Sequence, residues 1–159
     1  MTRWEQIIKT KHITFVCTGN ICRSPMAEYL LRDKLGADSD WTVGSAGTFA
    51  GNGMRASRAA VDVLAELNID GSKHSSSFLD RDLVDASTVI VVMTSGHKQH
   101  IELMYPDADE KMFLLKSFSR KDKGDVRDPI GASTGVYRQI RDEISEALPG
   151  LIEFLENLK

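Results

Sequence analysis

Apolar positions fall into two kinds of run. Short continuous ones, Ile13-Thr14-Phe15-Val16, Trp41 to Ser45, Thr88 to Met93 and Lys111 to Leu115, read as strands, and the run to Met93 suits the centre of a parallel sheet. Between them apolar side chains recur at helical spacing over Ser24 to about Leu35, Arg55 to Leu67, Asp80 to Asp85, Gly96 to Met104 and Thr134 to Leu148. Gly36 suits a left-handed cap ending the first of these helices, Thr94-Ser95 a cap opening the fourth, and Tyr105-Pro106 its end. Pro149-Gly150 predicts a kink or break before Leu151 to Leu158 continues the last apolar stripe. Strands alternating with helices at these lengths predict an α/β fold, a three-layer sandwich around a four-stranded parallel sheet. Residues 1–10 read as an N-terminal extension, with Trp4, Ile7 and Ile8 spaced for a short amphipathic helix, though an unstructured arm fits as well. Residues 11–159 read as a single domain.

Composition narrows the class. With 42% hydrophobic and 27% charged residues in 159, the chain can bury a real core. Its 20 basic and 23 acidic residues, net −3, argue against a nucleic-acid surface. No apolar stretch approaches the roughly 18 residues of a membrane span, and no secretory signal opens the chain. Two cysteines five positions apart form no disulfide framework. The expectation is a cytoplasmic protein without membrane partners.

Chemistry concentrates in Cys17-Thr18-Gly19-Asn20-Ile21-Cys22-Arg23-Ser24-Pro25, a loop leading from the first strand into the first helix. Gly19 lets the loop curl so that backbone N–H groups turn inward. Ser24 and Pro25 suit the cap and first turn of a helix whose positive end faces the same point. Such a field stabilises both a dianion and a thiolate, so Cys17 is a candidate nucleophile. Arg23 can hold two phosphoryl oxygens with its planar fork. Two plainer readings compete: half of a metal site, for which a second cysteine pair is lacking, and a buried apolar cysteine ending a strand.

This segment resembles the signature loop of the low-molecular-weight protein tyrosine phosphatases. The similarity runs from Lys11 to the C-terminus, through Val43-Gly44-Ser45-Ala46-Gly47-Thr48, Val92-Met93-Thr94 and Asp128-Pro129. It implies a phosphatase acting through a phosphocysteine, without metal or organic cofactor, on a phosphorylated protein, as a monomer or weak homo-oligomer. It implies that Cys17, Arg23 and Asp128 are catalytic, Asp128 as the acid that protonates the leaving group. Asp125, the nearest competitor, lacks a following proline. It makes Thr18, Gly19, Asn20, Ile21, Cys22 and Ser24 the phosphate-binding loop, with the Ser24 hydroxyl bonded to the Cys17 sulfur. Ser45 and His74 become a supporting network in which His74 bonds Asn20, while His12, His97 and His100 match nothing. Cys22 lies close enough in sequence to trap oxidised Cys17 as a disulfide.

Substrate is read less directly. Arginine-directed bacterial members of the family place threonine where this chain has Ile21. An apolar residue there suits an aromatic ring, with Phe49 and Ile130 as pocket walls, and favours phosphotyrosine. Against this, Ile130-Gly131 follows the Asp-Pro pair instead of aromatics, and the stretch from Asp128 to Arg141 looks closer to the arginine-directed branch. Arsenate reductases share the loop but need further cysteines downstream. A phosphocarrier would lack the arginine, and a non-catalytic phosphoprotein-binding module would need neither nucleophile nor acid.

Overall fold

A computed structural model of the protein describes residues 11–158, so the amphipathic pattern read for 1–10 lies outside the described residues. The strands are β1 (Lys11–Cys17), β2 (Trp41–Gly47), β3 (Val89–Val92) and β4 (Met112–Leu114). The helices are α1 (Arg23–Leu35), α2 (Arg58–Ala65), α3 (Arg81–Ala86), α4 (Ser95–Met104) and α5 (Thr134–Glu156). All strand pairs are parallel and the order is β2-β1-β3-β4, which sets β1 in the sheet interior. This is the expected α/β sandwich.

The side-chain alternation of a strand sorts the core into two layers. Ile13, Phe15 and Cys17 of β1, with Val89 and Val91 of β3, face a large cluster built with Met26 and Leu30 of α1, Val63 of α2 and Ile140, Ile144 and Leu148 of α5. Val16, Ile90 and Val92 face a smaller cluster with Val84 of α3 and Ile101 of α4. Parity therefore aims Cys17 toward the α1 side, at the strand's C-terminal end where α/β ligands bind.

Several boundaries differ from expectation, each for a local reason. Helix α1 opens at Arg23 with Cys22 as its cap residue, so Ser24 sits inside the first turn and its hydroxyl is free for other work. Gly36 does end the helix, at φ 77°, with its N–H bonded to Arg32 O. Helix α2 begins at Arg58, not Arg55, because the Ser57 side chain caps Ala60 N while Ser57 N bonds Ile21 O of the loop. Short 3-10 turns over Pro106–Lys111 and Leu115–Phe118 flank a β4 shortened to three residues.

The largest departure is α5, which runs unbroken through Pro149. Proline removes one intrahelical bond, yet the buried stripe of Ile144, Leu148, Leu151 and Leu155 continues past it, and packing of that stripe outweighs one lost bond. Gly150 permits a close approach: a Cβ there would stand 2.3 Å from Phe118 O. Gly150→Ala should therefore cost about 1–3 kcal/mol, as overpacking does. Urea unfolding measures it, and a wild-type midpoint would show that α5 is not pressed against the Leu115–Phe118 turn.

Candidate active site

The loop from Cys17 to Cys22 is shaped around Asn20, which is buried and holds a φ of 57°. Asparagine tolerates that left-handed conformation better than most residues. Its amide Nδ2 donates to Ser24 Oγ at 2.8 Å and to Ser45 Oγ at 2.9 Å, and its Oδ1 accepts from Ser77 N at 2.9 Å. His74 Nε2 lies 2.8 Å from Asn20 O, and since a carbonyl only accepts, Nε2 carries the proton. The other ring nitrogen then faces Glu28 at 4.0 Å.

Glu28 is the member of this network that sequence reasoning missed. Its buried carboxylate accepts from Ser45 Oγ at 2.5 Å and pairs with Arg32 at 2.7 Å. A signal existed in the i, i+4, i+8 spacing of Ser24, Glu28 and Arg32, which sets all three on one helix face.

Cys17 is 2% exposed, and its Sγ lies 2.9 Å from Ser24 Oγ. Asn20 already donates to that oxygen, and the Ser24 proton has the sulfur and, farther off at 3.4 Å, the Ala46 carbonyl as acceptors. The N–H groups of Gly19 to Cys22 find no internal backbone acceptor among the described residues, and the first N–H groups of α1 point the same way. Arg23 is 4% exposed, with Nη1 bonded to Val126 O at 3.0 Å and Nη2 3.7 Å from Asp128 Oδ2. Its buried Nε has no partner. An orphaned guanidinium donor above a ring of unpaired amides is a cradle for a phosphoryl group.

Asp128 stands at the rim with 47% of its side chain exposed. Val126 anchors its loop, bonding Met93 O through its N–H as well as receiving Arg23. Asp125 is otherwise engaged: its carboxylate takes Ser95 N at 2.9 Å and so holds the first turn of α4. The cavity between these groups, about 140 Å³, is lined by loop residues Cys17 to Gly19 and Ile21 to Arg23, with Asp128 and Ile130 opposite. Phe49 is not among its walls; it is 71% exposed and stacks on His100 with ring centroids 4.9 Å apart. A larger cleft of about 430 Å³ beside Lys116 is lined by Asp142, Glu143 and Glu146, the wrong charge for a phosphate.

Cys22 has partners of its own. Its Sγ meets Tyr137 Oη at 3.2 Å, and burial pushes its thiol up. Both cysteines are free thiols.

His97 is the second residue the sequence did not select. It is buried, with Nε2 2.8 Å from Thr18 Oγ1 and Nδ1 3.0 Å from Thr94 Oγ1. Burial first, then the Arg23 charge, lower its pKa to about 4, against weaker opposite pulls from Asp125 and Asp128. Between that value and its ordinary 6.5 the unfolded chain binds the extra proton, so stability rises with pH across this window. His97→Gln should flatten that rise when chemical denaturation is followed from pH 4 to 7. A slope identical to wild type would mean that His97 titrates as if solvated.

The family model for low molecular weight phosphotyrosine protein phosphatase matches residues 12–159. A protein-arginine-phosphatase of Geobacillus stearothermophilus is 44% identical over 144 residues, covering 91% of this chain and 95% of the relative. The structure of an arginine phosphatase from the same organism superposes with a TM-score of 0.84, covering 92% of this chain and 93% of that one. A low molecular weight protein-tyrosine-phosphatase of Staphylococcus haemolyticus is 36% identical over 132 residues, covering 83% of this chain and 91% of the relative.

Proposed function

Because the chain belongs to the low molecular weight phosphotyrosine protein phosphatase family, we propose that residues 11–159 form a protein arginine phosphatase that hydrolyses phosphoarginine in cytoplasmic proteins. The observation that carries the substrate choice is the mouth of the cavity. Ile21 and Ile130 are aliphatic, the Asp128 carboxylate is exposed between solvent and Arg23, and no aromatic ring is among the lining residues. An arginine side chain lays its methylenes on such walls and brings its guanidinium to the carboxylate. The expectation of phosphotyrosine rested on Ile21 with Phe49 as a further wall, and Phe49 lies against His100, outside the cavity lining. The 44% identical arginine phosphatase supports the same choice.

In this reading the Cys17 thiolate attacks phosphorus in line as the bond to the guanidinium nitrogen breaks. Asp128 gives its proton to that nitrogen, and the arginine leaves as its guanidinium. Arg23 Nε and Nη2, with the loop amides, hold the three equatorial oxygens as charge spreads over them. A water then attacks the phosphocysteine, Asp128 takes its proton, and sulfur departs as a thiolate that the Ser24 hydroxyl stabilises. The chain needs no metal or organic cofactor for these steps. It also has no cysteine beyond Cys17 and Cys22 for the thiol relay of an arsenate reductase.

A second reading, phosphotyrosine, draws on Ile21, which offers a guanidinium nothing polar. Peptides of one sequence carrying phosphoarginine or phosphotyrosine, assayed side by side, separate the two. Phosphoarginine should be preferred, Cys17→Ser should be inactive, and Asp128→Asn should lower kcat about a hundredfold or more. Ile21→Thr, which adds a hydroxyl at the mouth, should raise the preference further. A preference for phosphotyrosine would restore Ile21 as the seat of an aromatic ring. Absence of Cys17-dependent turnover of either peptide would move the protein to a phosphocarrier or a binding module.

A further inference from the structure

Two polar acceptors border the otherwise aliphatic mouth, the Asp128 carboxylate and the Thr18 hydroxyl, and only the first has a part in the chemistry above. Thr18 is exposed toward the cavity, yet its hydroxyl is not free to turn. It meets His97 Nε2 at 2.8 Å, and His97 is locked in turn by Thr94, whose Oγ1 lies 3.0 Å from Nδ1 and caps His97 N at 3.1 Å. The backbone of Thr18 is held as well, its carbonyl accepting Phe49 N at 3.0 Å.

A neutral imidazole offers one donor and one acceptor, and the count at Thr18 favours the cavity either way. If Nε2 donates, one lone pair of the Thr18 oxygen is used and one remains. If Nε2 accepts, the Thr18 proton is used and both lone pairs remain. In both cases at least one lone pair of the Thr18 oxygen remains, so the hydroxyl can accept from the cavity. Burial beside Arg23 keeps His97 neutral across the physiological range, so this arrangement persists.

We propose that Thr18, oriented by His97, is a specificity-determining residue that accepts an N–H from the guanidinium of phosphoarginine at the mouth of the cavity. This rests on the phosphoarginine reading above and extends it. A guanidinium carries donors around its whole plane, and one carboxylate at the rim cannot satisfy them all. A phenyl ester has no donor for Thr18. His97 is a positioning residue: it touches no substrate, and it acts by removing the rotational freedom of the Thr18 hydroxyl.

The test compares kcat/KM for a phosphoarginine peptide with that for para-nitrophenyl phosphate, an ester without N–H donors. The proteins are the parent, Thr18→Val, Thr18→Ser, His97→Ala, His97→Gln and the Thr18→Val/His97→Ala double variant. Thr18→Val and His97→Ala should each lower the phosphoarginine-to-ester ratio about tenfold, the scale of one hydrogen bond to a charged group. The double variant should fall no further than either single one. Thr18→Ser and His97→Gln, which keep a hydroxyl and an amide in reach of each other, should recover most of the ratio. Equal losses on both substrates, or losses that multiply in the double variant, would overturn the pairing and leave His97 a structural residue. A parent that cleaves the ester but not phosphoarginine defeats the substrate reading itself, before any variant is made.

Discussion

Asn20 turns the backbone through a left-handed step at a point where no water reaches it, and the rest of the site hangs on that turn. Such a conformation costs of order 1 kcal/mol or more and persists only where its surroundings over-determine it. Here four bonds do so, from Ser24 in α1, Ser45 in β2, and His74 and Ser77 in the loop before α3. The turn is what rotates the neighbouring amides toward one centre. Gly47 completes the constraint from below, since a Cβ there would stand 2.3 Å from Thr18 O. The end of β2 and the phosphate loop are thus packed backbone to backbone.

One consequence is a continuous polar thread through an apolar interior. From Arg32 it passes through Glu28, Ser45, Asn20 and Ser24 to the Cys17 sulfur, and each hydroxyl both accepts and donates. A buried carboxylate would ordinarily be expensive, but Glu28 is fully partnered. Asn20 can only donate to Ser24, whose own proton has two acceptors, the Cys17 sulfur at 2.9 Å and the more distant Ala46 carbonyl at 3.4 Å; turned to the nearer one, the bond runs from Ser24 to the sulfur. That direction suits a thiolate as attacking group and again as leaving group.

The other half of the site comes from a different principle. Arg23 and Asp128 are far apart in sequence and are brought together through Val126, whose carbonyl takes Arg23 and whose N–H takes the end of β3. The arginine is buried, while the aspartate is exposed at the rim, its Oδ1 accepting from Ile130 N at 3.1 Å. Between them the walls are short and aliphatic, which sets the chemistry of the ligand that can follow the phosphoryl group into the cavity.

Much of this was legible in the residues themselves. Continuous apolar runs and helical spacing located β1 to β4 and α1 to α5 among the described residues, and Cys17 to Pro25 reads as an anion loop because its glycine, cysteine and arginine suit chemistry that no packing role requires. What the chain alone misplaced depended on which groups the packing brings into contact. Pro149 reads as a break, but the buried stripe of α5 carries the helix past it; Ser24 reads as a cap, but Asn20 and Cys17 claim its hydroxyl. As strings Asp125 and Asp128 differ by the proline that follows the second, while the position of Ser95 shows what the first does: it holds α4. Glu28 and His97 read as ordinary helix residues, because burial and hydrogen-bond partners are properties of the assembled layers. The sequence by itself determined the elements and the reactive loop, since both rest on local periodicity and side-chain chemistry. Only the tertiary structure decided which polar groups face which, since those pairings join residues distant in sequence, 103 positions for Arg23 and Val126 and 115 for Cys22 and Tyr137.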